Sequence, residues 1–171
     1  GFGTGSMLIE PDPRTVIRCY PFTIGEYFLA TDSTLRVNTL YRHMSMTANS
    51  IVLKFGENNV PNIVKVAVSG GNGQKWFKVI HCLPPNDKRL PGKQDARNLP
   101  WTSVYYLENA PDTEALRVSG YNEFAVVGPR WDTTGSEIYG RSPGMEVLAD
   151  VQMLQKEAEK YLRALDKSID P

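Results

Sequence analysis

Residues 142–169 read SPGMEVLADVQMLQKEAEKYLRALDKSI, and the pattern predicts one long helix. Ser142 suits the N-cap because its hydroxyl can accept a free N–H of the first turn, Pro143 fits the first helical position, and Glu146 lies near the positive end of the helix dipole. The apolar residues Val147, Val151, Leu154, Ala158, Tyr161 and Leu165 recur at alternating spacings of four and three. That is a heptad seam, and Leu148, Leu162 and Ile169 widen it. At about 1.5 Å per residue the rod is about 40 Å long, more than a β-rich body of this size covers. Part of the seam should therefore meet another chain or a segment outside these residues. The sequence stops at Asp170-Pro171, directly after the helix, which reads as a piece cut from a longer protein.

Upstream the period changes from helical to two. From Ser6 to Met44 short apolar-polar alternations predict strands over 6–10, 14–20, 25–30 and 35–44. Thr31-Asp32-Ser33-Thr34 joins the last two as a hairpin, since short polar side chains hydrogen-bond the backbone of a turn. Thr47 before Ala48–Phe55 and Gly56 after it predict a two-turn helix with both caps. Residues 62–68 stay open: Ile63, Val64, Val66 and Val68 favour a strand, whereas Pro61 can open a helix. Gly70-Gly71-Asn72-Gly73 marks a turn before a strand from Lys75 to Leu83, and further strands are expected at 101–108, 116–118 and 123–127.

Between two of these strands, residues 84–100 hold Pro84, Pro85, Pro91, Gly92 and Pro100, with Lys88, Arg89, Lys93 and Arg97 against Asp87 and Asp95. This is a Pro-rich loop of net positive charge, long enough to expect a functional or projecting role. The organisation is thus α+β: a β-rich antiparallel body over 1–140 with one short helix and the loop at 84–100, followed by the long amphipathic helix of 141–171.

Composition narrows the function. With 171 residues and 19 Lys+Arg balanced by 19 Asp+Glu, the chain is long enough for a real core and lacks the net charge of a free-standing nucleic-acid binder or a polybasic membrane-surface protein. Its apolar runs, such as Ala125 to Val127, are far too short to span a bilayer. Cys19 and Cys82 are two isolated thiols, neither a disulfide framework nor a Cys-rich zinc site. Gly1-Phe2-Gly3-Thr4-Gly5 has the spacing of a phosphate loop but not its setting, because a strand follows where a helix should open.

No catalytic constellation emerges. His43 and His81 cannot close a zinc site alone. His81 and Cys82 are adjacent in a predicted strand and so point to opposite faces, while a Cys82–His43 dyad has no motif behind it. Glu157 and Glu159 are two apart in the helix and face different ways, whereas Glu157 with Tyr161 and Glu159 with Arg163 have helix-neighbour spacing. The expectation is a non-enzymatic protein with no cofactor and no metal. The alternative is a nucleic-acid-binding β-barrel module with a docking helix, in which the basic residues of 84–100 meet phosphates and Trp76, Trp101 and Tyr105 stack bases.

The block Pro129-Arg130-Trp131 through Tyr139-Gly140-Arg141-Ser142-Pro143-Gly144-Met145-Glu146 to Asp150 resembles the head-to-tail connecting proteins, the portal proteins, of short-tailed bacteriophages. Weaker pieces follow in the same order: Gly1–Gly5, Thr23-Ile24-Gly25-Glu26-Tyr27, Met46-Thr47, Lys54-Phe55-Gly56, Ser119-Gly120-Tyr121 and Glu123-Phe124. The resemblance implies a structural protein of the virion, assembled in the host cytoplasm into a ring, commonly of twelve subunits, at one capsid vertex. Double-stranded DNA passes through such a ring without sequence-specific contact, a terminase drives it, tail adaptors bind beneath and capsid protein surrounds it. It further implies that the β-rich body is wing-like or clip-like and that residues 143–169 are a stem-like helix. On that reading Val147, Val151, Leu154, Ala158, Tyr161, Leu162 and Leu165 form the oligomer interface, and Glu157, Lys160 and Arg163 face the channel and the DNA.

Overall fold

The computed structural model describes residues 3–90, 92–93, 95–110 and 115–169. Pro91, the first two residues of the glycine-rich start and Asp170-Pro171 lie outside the described residues. The chain divides into two compact units, Ser6–Gly128 and Gly1–Gly5 with Pro129–Pro171.

The Ser6–Gly128 unit holds two antiparallel sheets. In the smaller, β1 (Met7–Asp12) lies between β2 (Val16–Pro21) and β8 (Val126–Val127). In the larger, β3 (Tyr27–Thr31), β4 (Val37–Thr47), β5 (Trp76–Leu83), β6 (Trp101–Leu107) and β7 (Arg117–Tyr121) pair in sequence order. Among the described residues this sheet stays open, with β3 and β7 as its edges, so the β-barrel alternative lacks its barrel. The β3–β4 hairpin forms at the expected turn, where Asp32 Oδ1 accepts from the N–H groups of Thr34 at 2.8 Å and Arg36 at 3.0 Å. The expected strand at 123–127 shrinks to Val126–Val127, paired with Leu8 and Met7 of β1, while Ile9 N–H donates to Ala125 O at 2.8 Å just before it.

Two short helices cover one face of the larger sheet. In α1 (Ala48–Phe55) the cap is the expected one: Thr47 Oγ1 accepts from Ser50 N–H at 3.3 Å, and Gly56, at φ 85°, donates its N–H to Val52. The open segment resolves as α2 (Asn62–Ser69), so the body has two short helices rather than one. Val64 and Ala67, one turn apart, reach the shared core, and that burial overrides the mild strand preference of β-branched residues. The core joins Ile51, Phe55, Val64 and Ala67 to Val79, Tyr105, Leu107 and Leu116.

Residues 84–100 contain no helix or strand among those described, yet they are pinned. Asn86 N–H donates to Pro100 O at 2.8 Å, its side-chain amide donates to Arg97 O and Leu99 O, and Asn98 Oδ1 accepts from Leu90 N–H at 2.9 Å. The loop folds against Gly120 on β7: a Cβ there would stand 2.7 Å from Trp101 O, 2.8 Å from Leu99 Cβ and 2.9 Å from Ala96 O.

The second unit is built on backbone contact between distant segments. Thr4 bridges to Arg130, Asp132 bridges to Arg141, and Trp131 N–H donates to Gly3 O at 2.7 Å. Gly140 N–H donates to Thr4 Oγ1 at 2.7 Å. A Cβ on Gly3 would lie 2.4 Å from Arg141 C, and one on Gly140 would lie 2.5 Å from Gly3 O, so these glycines serve close packing of two main chains. Ser142 caps as expected, accepting from Met145 N–H. The predicted single helix is divided at Val147, at φ −93° and ψ 9°, into α3 (Pro143–Glu146) and α4 (Leu148–Ile169). At about 1.5 Å per residue the 22 residues of α4 make a rod of about 33 Å, shorter than the expected 40 Å.

Candidate assembly surfaces

Every described residue of α4 is exposed. Its apolar stripe follows from sequence spacing: at 3.6 residues per turn Val151, Leu154, Ala158, Tyr161, Leu162 and Leu165 gather on one side. Leu154 is 65%, Tyr161 66% and Leu162 61% exposed, so no part of the described chain covers them. Val147 sits at the α3–α4 junction, where Val151 N–H still donates to its carbonyl at 3.0 Å. Of the charged candidates, Lys160 and Arg163 occupy the side away from this stripe, whereas Glu157 borders it, one turn before Tyr161. Arg163 is also tied along the helix, its Nη2 donating to Glu159 Oε1 at 2.5 Å. An exposed pair of this kind contributes little, about 0.3–0.5 kcal/mol.

The nucleophile candidates are not assembled for chemistry. The β4–β5 register puts His43 opposite Ile80 and Cys82 opposite Tyr41, while the His43 ring meets Phe28 edge-on at 5.7 Å. Burial pushes the Cys82 thiol above its usual pKa, the reverse of nucleophile activation. Fully buried, His81 lies stacked on Tyr105 at 4.0 Å with its Nε2 2.8 Å from Ser103 Oγ, and its Nδ1 has no protein partner. Burial, helped by Lys54 and Arg42, pushes its pKa down to about 3, so it is a neutral core side chain at pH 7. Among the described residues no group of three or more His, Cys, Asp or Glu side chains is placed to hold a metal ion, and no helix is long and apolar enough to cross a membrane.

Around His81 the sheet carries a charged layer under the helices. Arg42 donates from Nε and Nη2 to Glu26 Oε1 at 2.8 and 2.5 Å and lies over the Phe22 ring at 4.3 Å. Burial opposes ionisation of Glu26, but hydrogen bonds from Arg42 and Thr23 outweigh it and hold the carboxyl below its usual pKa. Lys54, an exposed residue of α1, reaches over Tyr105 with its Nζ 4.9 Å from the ring centroid, and desolvation beside the ring lowers its pKa. Tyr121 donates a short hydrogen bond to Glu10, and burial followed by that bond raises its pKa. Glu26 also lines an open surface cavity of about 330 Å³ with Phe28, His43 and Lys78.

The sequence reading missed the exposed apolar side chains of the Ser6–Gly128 unit. Phe28, Tyr41, Tyr106 and Val118 stand on the sheet face opposite the core, and Leu53, Ile63 and Val66 stand on the helices. The signal was present, because the strands carry apolar residues in both phases of their alternation and Asn62–Ser69 is apolar almost all round.

The described residues thus join a mixed α+β body to an exposed amphipathic helix in one chain. The chain belongs to the bacteriophage head to tail connecting protein family, whose profile matches residues 1–171. It is 41% identical over 170 residues to the "Probable portal protein" of Bordetella phage BPP-1, covering 99% of this chain and 31% of that relative. It is 40% identical over 171 residues to the "Portal protein" of Salmonella phage epsilon15, again covering 99% of this chain and 31% of the relative.

Proposed function

We propose that this chain is a segment of a portal subunit that assembles with its copies into a ring at one capsid vertex of the virion. The ring, commonly of twelve subunits, passes double-stranded DNA during packaging and ejection. Terminase and tail adaptor proteins dock on it, capsid protein surrounds it, and assembly takes place in the host cytoplasm. Its role is structural and non-enzymatic. The body over 1–140 acts as a wing-like or clip-like part and the helix of 141–171 as a stem-like part.

The observation that carries the reading is α4, a 22-residue amphipathic helix with no buried residue in a chain 40–41% identical to two portal proteins. An apolar stripe left in water is a standing cost that a second helix removes. Val147, Val151, Leu154, Ala158, Tyr161, Leu162 and Leu165 pack against neighbouring subunits, leaving Glu157, Lys160 and Arg163 toward the channel. Charges placed there contact the DNA backbone and carry no sequence information.

The test is packaging by the full-length ring with Glu157→Lys, Lys160→Glu and Arg163→Glu combined. Altered packaging efficiency in rings of normal mass is expected. Unaltered packaging removes these residues from the channel, and a full-length protein that stays monomeric at every concentration overturns the ring itself.

A further inference from the structure

The connection from α2 to β5 holds Asn72-Gly73, the one place in the sequence where a glycine follows an asparagine. The main chain there is well anchored. Gly71 takes φ 75°, which ends α2 in a left-handed cap and lets Asn72 N–H donate to Ala67 O at 2.9 Å. Asn72 O accepts from Lys75 N–H at 3.0 Å. Gly73 O and Lys75 O accept from Asn49 N–H at 3.0 Å and Ala48 N–H at 2.9 Å, so the turn supplies partners for the first N–H groups of α1. Gly73 is buried beneath Asn49, where a Cβ would stand 2.3 Å from Asn49 Oδ1.

Two groups of this turn are left over. Among the described residues the exposed side-chain amide of Asn72 has no hydrogen-bond partner, and neither has Gly73 N–H. These are the two reactants of asparagine deamidation. The amide nitrogen of the following residue attacks the side-chain carbonyl carbon, the side-chain nitrogen leaves as ammonia with the proton that the attacking nitrogen gives up, and a succinimide ring closes. Water then opens the ring at either carbonyl, to aspartate or to isoaspartate. Glycine in the following position favours closure because no side chain crowds the attacking nitrogen. The groups that hold the turn, Asn72 N–H and Asn72 O, are not consumed, so the attack uses only what the fold leaves free.

We propose that Asn72 is a site of spontaneous modification in the folded protein, its side-chain amide lost to attack by Gly73 N with water as the only other reactant. The two products differ in their effect. Aspartate leaves the main chain unchanged and sets a carboxylate in an exposed turn beside the N-terminus of α1, where the helix dipole favours it. Isoaspartate carries the main chain through the former side chain and inserts one more carbon between two fixed anchors, Ala67 O on one side and Asn49 N–H on the other. The turn then no longer spans both, and the first turn of α1, where Ala48 is fully buried, loses a partner.

The full-length protein is incubated in mildly alkaline buffer, folded and urea-unfolded in parallel. Peptide mass spectrometry reads the exchange of amide for carboxyl, and a protein isoaspartyl methyltransferase reads the isoaspartate. Asn72 is expected to convert before every other asparagine of the chain. In the folded protein it should do so no more than about 30-fold more slowly than in the unfolded chain, the factor that fixing one residue's backbone carries. The rate should rise with pH, because the attacking nitrogen must lose its proton. Asn72→Gln, whose longer side chain closes its ring far more slowly, should abolish the signal without disturbing the turn. The isoaspartate form, separated by chromatography, should melt below the fresh protein, and Asn72→Asp should melt with it. An Asn72 that stays intact in the folded protein while the unfolded chain converts overturns the proposal, since the anchored turn then protects it. Earlier conversion of another asparagine in the folded protein overturns it as well, and an isoaspartate form that melts like fresh protein overturns the effect on α1.

Discussion

Replacing Leu154 and Leu162 together by Lys separates a seam that meets other subunits from one that belongs to its own fold. The two side chains are 65% and 61% exposed, so close to two-thirds of each is available for burial by a partner. A fully buried Leu contributes about 1.5–3 kcal/mol, which scales to about 1–2 kcal/mol for each residue and about 2–4 kcal/mol for the pair at every contact. At about 1.4 kcal/mol per factor of ten, this corresponds to a loss of about 30- to 1,000-fold in association, before the cost of bringing unpaired ammonium groups into the contact. The folded subunit should not notice, because α4 has no buried residue and Lys forms helix about as well as Leu. Light scattering behind size exclusion, across a range of concentrations on the full-length protein, should show rings giving way to monomers with unchanged helical circular dichroism. Rings of normal mass would refute the seam as an interface. A monomer that loses helix or melts early would show that the stripe packs within its own subunit.

Two further predictions concern the Ser6–Gly128 unit. His81 has its pKa lowered from 6.5 to about 3, so the unfolded chain binds a proton between those values that the folded chain does not; stability should fall as pH drops from 6.5 toward 3, by up to about 5 kcal/mol in all. Urea unfolding at several pH values should show this slope, and His81→Gln, which cannot titrate there, should flatten it; equal slopes would refute the assignment. Gly120→Ala should lower stability by about 1–3 kcal/mol, since its Cβ would meet Trp101 O at 2.7 Å and Leu99 Cβ at 2.8 Å. An unchanged melting temperature and unchanged proteolysis of the 84–100 loop would mean that the loop does not rest on β7.

The parts of this fold that were legible in the sequence are those decided locally. Thr47 and Ser142 cap their helices through their own hydroxyls, and Asp32 closes its hairpin with three neighbouring donors. The identity of 62–69 was not local. Val64 and Ala67 gain more from the core than their neighbours lose by leaving an extended backbone, and only the packed structure decides that. For the assembly surfaces, spacing identified the stripe on α4 directly. The exposed sheet face stayed hidden because residues such as Tyr105 and Tyr106 are aromatic in both phases, and alternation cannot say which of the two is buried.

The union of Gly3, Thr4 and Gly5 with residues 129–141 has a topological consequence. Gly5 N–H donates to Pro129 O at 3.0 Å, so the main chain departs toward Ser6–Gly128 and comes back at one spot. In chain order the larger unit is thus an insert between the two pieces of a smaller host unit, which carries α4 and closes a two-strand doorway. Closing so long a loop costs little more than closing a loop half its length, so the host tolerates an insert of almost any size provided the doorway closes. Gly3 and Gly140 guard that doorway, since no side chain fits between the main chains they bring together.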